Sequence, residues 1–201
     1  ARVARALLLP PALLYRGVMV ARAAAYRRGW LATRRLPLPT VAVGNLAVGR
    51  AGKTPVAAWI ATFYAHLGLR PGILLRGYGG DEHRVHERLV PRAIVVANPD
   101  RVAGAERAHA AGAEVLVLDD AYQRLDVARD LNVALVNTEN ARAVLWPFPA
   151  GPWREGWGAL RRADVIVVTR RRAPAYEARR LAQRLTARWP GKPVAAVHLA
   201  L

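Results

Sequence analysis

The sequence predicts an α/β fold in which helices cover both faces of a mostly parallel sheet. From Pro37 onward, short runs of β-branched and aliphatic residues alternate with alanine-rich helical stretches. The runs are apolar throughout, which is typical of strands that are buried on both faces. Parallel strands separated by helices indicate a sheet with helices on both sides, because each crossover returns the chain across one face.

Seven strands and three helices of this domain follow from the alternation. The strands are predicted at Thr40–Val43, Gly72–Leu75, Ala93–Ala97, Val115–Leu118, Val133–Val136, Val165–Thr169 and Val194–His198. The helices are predicted at Pro55–Leu67, Asp100–Ala111 and Pro174–Trp189. Pro55 suits a first helical turn and Asp100 suits an N-cap. The sequence stops just after the last strand, which we interpret as an interrupted architecture.

Residues 1–36 form a basic, apolar segment ahead of the domain at 37–201. The stretch "LLYRGVMVARAAAYRRGWLATRRL" is interpreted as a helix that carries many arginines. Such a helix could lie in a membrane interface, with Tyr26 and Trp30 at the boundary, or it could pack on the domain. The apolar run Ala6–Tyr15 contains two prolines and falls short of the roughly 20 residues that spanning needs. No membrane-spanning segment is therefore predicted.

Arginine dominates the charge of the chain. There are 31 lysines and arginines against 14 aspartates and glutamates, a formal net charge of +17, and only Lys53 and Lys192 are lysines. A surface with this excess attracts phosphates, anionic lipid headgroups or nucleic acid, and charge alone does not choose among them. The absence of cysteine excludes disulfides and thiolate metal sites.

The stretch "AVGRAGKT" joins the first predicted strand of the sheet to the first predicted helix. A glycine-rich loop in this place aims backbone N–H groups at one point, at the positive end of the helix dipole, and binds phosphate. The Lys53 ammonium can reach the β- and γ-phosphates, and the Thr54 hydroxyl can join the shell of a magnesium ion. The predicted ATP-binding residues are Ala47, Val48, Gly49, Arg50, Ala51, Gly52, Lys53 and Thr54.

Two carboxylates follow the predicted strand Val115–Leu118. The carboxyl end of a parallel strand is where a magnesium-associated aspartate belongs. If the strand continued, Asp119 and Asp120 would point to opposite faces, so we expect one to face the metal or its waters and the other to support the site. Solvated acids at a strand end are the alternative. Beside the phosphate loop, the pair predicts the second half of a site for a nucleotide and Mg²⁺.

Several stretches together carry a family resemblance. They are "PTVAVGNLAVGRAGKTPV", "RGYGGDE", "DR" at Asp100–Arg101, "LVLDDAYQ", "RDL" at Arg129–Leu131, "PAGPWRE" and "RRADVIVVT". On these motifs the chain resembles the tetraacyldisaccharide 4'-kinase family. The resemblance implies Mg²⁺-dependent transfer of the ATP γ-phosphate to the 4'-hydroxyl of a tetraacyldisaccharide 1-phosphate, giving lipid IVA in lipid A biosynthesis. It also implies a place on an anionic membrane surface, at the cytoplasmic face of the bacterial inner membrane.

The resemblance assigns roles to the acidic residues position by position. Asp81 is the candidate to accept the proton of the sugar hydroxyl, while Lys53 neutralises developing charge. A turn residue after two glycines is the alternative for Asp81. Asp119 and Asp120 would serve the metal, and Glu155 is a further candidate for the metal shell. The other candidate site residues are Asn45, Tyr78, Glu82, Arg101, Gln123 and Arg154.

The chain departs from the family pattern in three ways. The segment between "RGYGG" and "GDE" is shortened, so that the two motifs share Gly80. His83, Tyr122 and Arg124 stand where the family commonly has proline, phenylalanine and histidine. The family's C-terminal portion, with a histidine thought to assist the catalytic aspartate, is expected to be missing, and nothing identifies His198 as that histidine.

Two other functions fit parts of the sequence. A soluble phosphate-loop kinase or ATPase that acts on another small substrate would need no interfacial helix. A basic nucleic-acid-binding ATPase would use the arginines, but no recognition motif or stacking platform is evident, so nucleic acid is not expected as a partner. No protein partner is evident from the sequence.

Overall fold

A computed structural model describes residues 2–49, 51–77, 81–141 and 146–200 of the chain, with side chains from Leu7 onward. Over these residues the strands are β1 (Thr40–Asn45), β2 (Pro71–Leu75), β3 (Ile94–Ala97), β4 (Val115–Leu118), β5 (Leu131–Asn137), β6 (Val165–Arg170) and β7 (Val194–His198). The helices are α1 (Arg2–Arg27), α2 (Lys53–His66), α3 (Glu82–Leu89), α4 (Arg101–Ala110), α5 (Thr138–Ala141) and α6 (Ala175–Arg188), with a 3-10 helix at Trp157–Arg162.

The seven described strands lie in one sheet in the order β3-β2-β4-β1-β5-β6-β7, and the four strand pairs whose register is given are all parallel. The predicted fold class is therefore confirmed: a parallel sheet with helices and an apolar N-terminal helix. All seven predicted strands are present, with bounds that differ by at most two residues.

The chain divides into two compact units, which we name by their first helices. The α2 unit comprises Thr33–Gly44 and Gly52–Val133, and the α1 unit comprises Ala1–Ala32, Asn45–Ala51 and Ala134–Leu201. The phosphate loop begins in the α1 unit and ends in the α2 unit, so its two halves are described separately below.

The α2 unit is built around β2, which pairs with β3 on one side and β4 on the other. Every residue of β2 and β4 is buried, which explains why these strands read as unbroken apolar runs. Alanines of α4 pack with Leu74, Leu116 and Leu118 in one core cluster. At the end of β1, a Cβ on Gly44 would lie 2.7 Å from the backbone nitrogen of Tyr122. Glycine therefore lets the chain after β4 approach β1 closely.

In the α1 unit, α6 packs on β6 and β7 through one apolar face. Ala178, Leu181 and Leu185 are buried, at a spacing that lines one side of a helix, whereas its arginines face outward. On α5, one carboxylate oxygen of Glu139 accepts hydrogen bonds from the backbone N–H groups of residues 171–173, at 2.9–3.0 Å. This contact fixes the turn between β6 and α6.

The helix α1 differs from the prediction at both ends. It begins at Arg2, runs through the two prolines at 10 and 11, and ends at Arg27 rather than at Leu36. The reason for the earlier end is Gly29, whose φ is 74°. The N–H of Gly29 bonds to the Tyr26 carbonyl and that of Trp30 to the Ala25 carbonyl, which is the pattern of a Schellman C-cap.

The expectation that no segment could span a bilayer is wrong by length and composition. Among the described helices, one stretch is long and apolar enough to cross a membrane, namely Leu7–Arg27 of α1. Ala12 is buried, and the Tyr15 ring meets the Phe148 ring edge-on at 5.6 Å. The large apolar side chains that α1 exposes are Leu7, Leu8, Leu13, Leu14, Val18 and Val20.

Candidate functional site

The first half of the phosphate loop is held by main-chain hydrogen bonds within the α1 unit. The Val48 N–H donates to the Pro152 carbonyl at 2.6 Å, and the Leu46 carbonyl accepts from the N–H groups of Arg154 and Glu155 at 2.8 and 3.1 Å. The Thr169 hydroxyl donates to the Ala51 carbonyl at 2.9 Å. The "PAGPWRE" stretch and the end of β6 therefore set the shape of the loop.

The second half of the loop lies in the α2 unit and leads directly into α2. Gly52 has a φ of 82°, and Gly49 before it has a φ of 118°, so both glycines lie in the region that other residues avoid. Gly52 occupies the N-cap position of α2 and has no side chain to cap the first N–H groups. Such uncapped N–H groups, at the positive end of the helix dipole, form an anion-binding site.

The two carboxylates after β4 have different partners. The strand does not continue, because β4 ends at Leu118 and the chain turns at Asp120, whose φ is 49°. The carboxylate of Asp120 lies 3.5 Å from the Lys53 ammonium. Asp119 is buried, and its Oδ2 lies 3.0 Å from Nε2 of His86, a residue that the sequence did not single out. The alternation expected from a continuing strand is wrong, but the two aspartates do differ in their surroundings.

Arg101 supports the same turn from α4. Its side chain is buried, and it donates to the carbonyl oxygens of Asn98 at 3.2 Å and Asp119 at 3.3 Å. Burial and the nearby Arg124 lower the pKa of the Arg101 guanidinium to about 10, although Asp119 and Asp120 act in the opposite direction. The group therefore stays charged at neutral pH, and it fixes the backbone beside the carboxylates.

Asp81 and Glu82 stand at the start of α3, a helix that the sequence did not predict. Asp81 is the N-cap residue, but its side chain makes no capping hydrogen bond and is 91% exposed. The nearest cation described for it is Arg84, at 4.0 Å. Its carboxylate is thus free of the helix end and open to solvent, which suits a group that must meet a substrate hydroxyl.

Glu155 and Arg154 follow Trp153 in the α1 unit. Both oxygens of the Glu155 carboxylate accept from one nitrogen of Arg162, at 2.8 and 2.9 Å, and the Glu155 side chain is 10% exposed. Burial raises the pKa of the nearby Tyr15 hydroxyl, with Arg154 opposing and Glu155 adding to the shift. The ring contact of Tyr15 with Phe148 likewise places α1 beside the segment that leads into this motif.

The remaining candidate residues, Asn45, Gln123, Arg50 and Tyr78, stay predictions. Asn45 is buried at the end of β1 and lines a small cavity of about 10 Å³ with Trp153, close to the size of one water. Gln123 is half-buried in the turn that follows the two aspartates. Arg50 and Tyr78 lie outside the described residues.

Sequence reasoning missed two residues that contact the candidates, His86 and Arg162. Each is linked by a side-chain hydrogen bond to an acidic residue, His86 to Asp119 and Arg162 to Glu155. His86 precedes Asp119 by 33 positions, and its burial is a property of the fold, so the local sequence does not mark it as a partner. Arg162 lies in the motif "RRADVIVVT", which was the available signal for that residue.

The donor chemistry of these residues fits a magnesium ion that also binds nucleotide phosphates. No group of three or more His, Cys, Asp or Glu able to hold a metal is found within the part of the chain that the structure describes. Magnesium at nucleotide sites needs no such cage, because one or two carboxylates, water and phosphate oxygens complete its shell. Oδ1 of Asp119 is buried and has no hydrogen-bond partner among the described residues, as expected of an atom that serves such an ion.

The fold and the loop define a phosphate-loop nucleotide-binding protein. The cell division protein FtsY from Thermotoga maritima shares the fold, with a TM-score of 0.54 over 82% of this chain and 62% of that one, at 15% sequence identity. A crystal structure of LpxK from Aquifex aeolicus in complex with ATP is more similar. Its TM-score is 0.79 at 32% identity, covering 94% of this chain and 63% of that chain.

Sequence comparison identifies the family. The family model for tetraacyldisaccharide-1-P 4'-kinase matches residues 4–92 and 80–200. The tetraacyldisaccharide 4'-kinase of Alkalilimnicola ehrlichii is 41% identical over 84% of this chain and 56% of its own length, and that of Aromatoleum aromaticum is 37% identical over 98% and 61%. The chain belongs to the tetraacyldisaccharide 4'-kinase family. It spans about three-fifths of the length of these relatives.

Proposed function

We propose that the chain transfers the γ-phosphate of ATP to the 4'-hydroxyl of a tetraacyldisaccharide 1-phosphate, giving lipid IVA. The observation that carries the proposal is the loop between β1 and α2, where two left-handed glycines precede Lys53 and its partner Asp120. Family membership supplies the acceptor, and it does not favour the soluble small-molecule kinase or the nucleic-acid-binding ATPase.

The loop residues bind and orient the nucleotide. Backbone N–H groups of the loop Ala47–Thr54 hold the phosphates, except those of Val48 and Ala51, which donate to the carbonyls of Pro152 and Gly49. The Lys53 ammonium neutralises charge that develops on the β- and γ-phosphates. Thr54, Asp119 and Asp120 would hold a magnesium ion, with Glu155 as a further candidate. When bound, the ion neutralises phosphate charge and fixes the geometry of the phosphates.

Asp81 acts on the acceptor. The oxygen of the 4'-hydroxyl forms a bond to the γ-phosphorus, the bond from this phosphorus to the bridging oxygen breaks, and ADP leaves. The hydroxyl proton passes to the Asp81 carboxylate. Glu82, Gln123 and Arg154 orient the reacting groups from the neighbouring family motifs. Because phosphoryl transfer depends mainly on positioning and charge neutralisation, no covalent enzyme intermediate is required.

The helix α1 would hold the chain at the membrane surface where the lipid substrate lies. It exposes six large apolar side chains, such as Leu14 and Val18, which would insert among acyl chains while flanking arginines meet anionic headgroups. The substrate's acyl chains are anchored in the same layer. This supports a peripheral or monotopic position at the cytoplasmic face of the bacterial inner membrane.

Incubation with γ-labelled ATP, Mg²⁺ and the disaccharide 1-phosphate lipid tests the proposal. The expected result is label on the lipid, and Lys53→Ala and Asp81→Ala should each lower the rate by about 10³-fold or more. ATP binding should survive Asp81→Ala, because this carboxylate acts on the acceptor. Lys192→Ala, which changes the only other lysine, is the matched control.

Three results would contradict these assignments. An unlabelled lipid with intact, ATP-binding protein would overturn the proposed reaction for this chain. Near-normal transfer by Asp81→Ala would remove that residue from the role of base. Equal losses in Lys53→Ala and Lys192→Ala would show an effect of charge or stability rather than of the phosphate site.

A further inference from the structure

His86 occupies an unusual position on α3. Among the described residues of this helix, His86 alone is buried, and its exposed fraction is 0%. The apolar side chains of Val85 and Leu89 are 43% and 51% exposed. A helix that served only to cover the sheet would bury its apolar residues instead. The orientation of α3 thus places an imidazole inside the α2 unit at the expense of two apolar contacts.

The imidazole of His86 contacts the carboxylate of Asp119. Nε2 lies 3.0 Å from Oδ2, and a carboxylate can only accept, so Nε2 carries the proton in this hydrogen bond. Nδ1 of His86 is buried and has no hydrogen-bond partner among residues 2–49, 51–77, 81–141 and 146–200. Among the described residues, the His86 ring therefore makes one side-chain hydrogen bond, which is to Asp119.

The second oxygen of Asp119 is left without a protein donor in the described part of the chain. Oδ1 is buried and has no hydrogen-bond partner there. A buried carboxylate oxygen without a donor or cation is unfavourable, so this atom needs a partner that the described side chains do not supply. The carbonyl of Asp119 is held by Arg101 at 3.3 Å, which restrains the main chain of the same residue.

We propose that His86 is a positioning residue that orients Asp119 so that Oδ1 faces the magnesium ion of bound ATP. The proposal rests on the proposed function, because it needs a magnesium nucleotide at this site. His86 fixes the rotation of the carboxylate through Oδ2, and Arg101 fixes its backbone. Groups that hold a metal ligand in this way commonly change metal affinity by about 10- to 100-fold when they are removed.

The test compares His86→Leu with His86→Gln in the full chain. Leucine fills a similar volume without a donor, whereas glutamine keeps an N–H near the position of Nε2. Binding of a fluorescent ATP analogue is titrated with Mg²⁺ and repeated in EDTA. His86→Leu should raise the Mg²⁺ concentration for half-maximal binding about tenfold or more and leave metal-free binding within twofold. His86→Gln should stay within threefold of the unmodified chain.

Two further variants separate positioning from stability. His109→Leu makes the same change at an exposed histidine in the last turn of α4 and should leave the Mg²⁺ titration unchanged. In an Asp119→Asn background, His86→Leu should have no further effect on the titration, because its route through the carboxylate is gone. If His86→Leu does not fold, His86→Asn replaces it, because the asparagine amide lies near the position of Nδ1 rather than that of Nε2. Of the two amide variants, only His86→Gln should then keep the normal Mg²⁺ titration.

The outcomes distinguish this inference from the proposed function. Magnesium-dependent binding in the unmodified chain with an unchanged titration in His86→Leu would overturn the role of His86 alone. An equal loss with and without metal, or a glutamine variant as weak as the leucine variant, would also overturn it. Binding that ignores Mg²⁺ in the unmodified chain would overturn both.

Discussion

Asp120 shows how a single residue combines a backbone and a charge requirement. Its φ of 49° lies in the left-handed region, which aspartate tolerates better than most residues because its short side chain bonds locally. This turn ends β4 and leaves the carboxylate 3.5 Å from Lys53. Backbone conformations of this kind concentrate at functional sites. A replacement at this position must therefore keep the turn as well as the charge.

Glu139 is a structural carboxylate with a strongly shifted pKa. Burial raises the pKa, but hydrogen bonds from the backbone N–H groups of Ala173, Arg171 and Arg172 outweigh it and lower the pKa from 4.5 to about 2. A lowered pKa stabilises the folded chain above about pH 4.5, and this contribution is lost as the pH falls through about 2.

Glu139→Gln should therefore remove the stabilisation that ionised Glu139 provides. We expect the free energy of unfolding at pH 7 to fall by about 1–2 kcal/mol, since glutamine keeps an uncharged acceptor. The difference between the two proteins should shrink as the pH is lowered from about 4.5 to 2. Urea unfolding at several pH values measures it, with Glu87→Gln on the exposed side of α3 as control. A constant difference across this range would contradict the assignment.

At the scale of elements, α1 and α3 both depart from what the sequence predicts, for different reasons. In α1, Gly29 ends the helix at Arg27, although helical composition continues to Leu36. In α3, Val85 and Leu89 have the spacing of one helical face, but eight residues with two apolar positions give a weak signal, and the fold leaves both side chains largely exposed. The strands were predictable because parallel strands buried on both faces form short apolar runs.

The contacts of the candidate site were less predictable than its motifs. The phosphate loop and the acidic pair follow from local sequence, because a loop between strand and helix has few possible conformations. The pairing of Asp119 with His86 depends on tertiary packing, and no family motif includes His86. Arg162 does lie in the motif "RRADVIVVT", but the motif does not indicate that its side chain pairs with Glu155. Local patterns therefore predict where a nucleotide would bind, whereas the partners of the carboxylates there are set by the fold.

The exposed apolar side of α1 leads to an element-scale prediction. Replacing Leu14 and Val18, which are 72% and 55% exposed, by glutamate should weaken sedimentation with anionic liposomes at least tenfold, because acyl-chain contact is replaced by charge. Leu67→Glu, at the C-cap of α2, where the leucine is 61% exposed, is the matched control. Unchanged sedimentation of the double variant would contradict an interfacial role for α1.

At the scale of the whole molecule, the net charge of +17 should make membrane binding dependent on salt. We expect binding to anionic liposomes to fall steeply when NaCl rises from about 0.1 to 1 M, since the Debye length drops from about 10 to 3 Å. A fraction held by apolar contact should remain. Liposomes of zwitterionic lipid provide the comparison, and equal binding to both lipids at low salt would contradict an electrostatic contribution.

The main-chain hydrogen bonds that hold the phosphate loop help to explain how its first residue can differ from the usual glycine. Position 47 carries alanine where the usual motif has glycine. This residue is buried, and its backbone forms an antiparallel bridge with Trp153. Pro152, Arg154 and Glu155 fix the curvature there through backbone atoms alone. The first half of the phosphate loop is thus held in shape by residues that lie about a hundred positions later in the sequence. Alanine at position 47 therefore stands in a loop whose bend is held by the main chain of a distant segment.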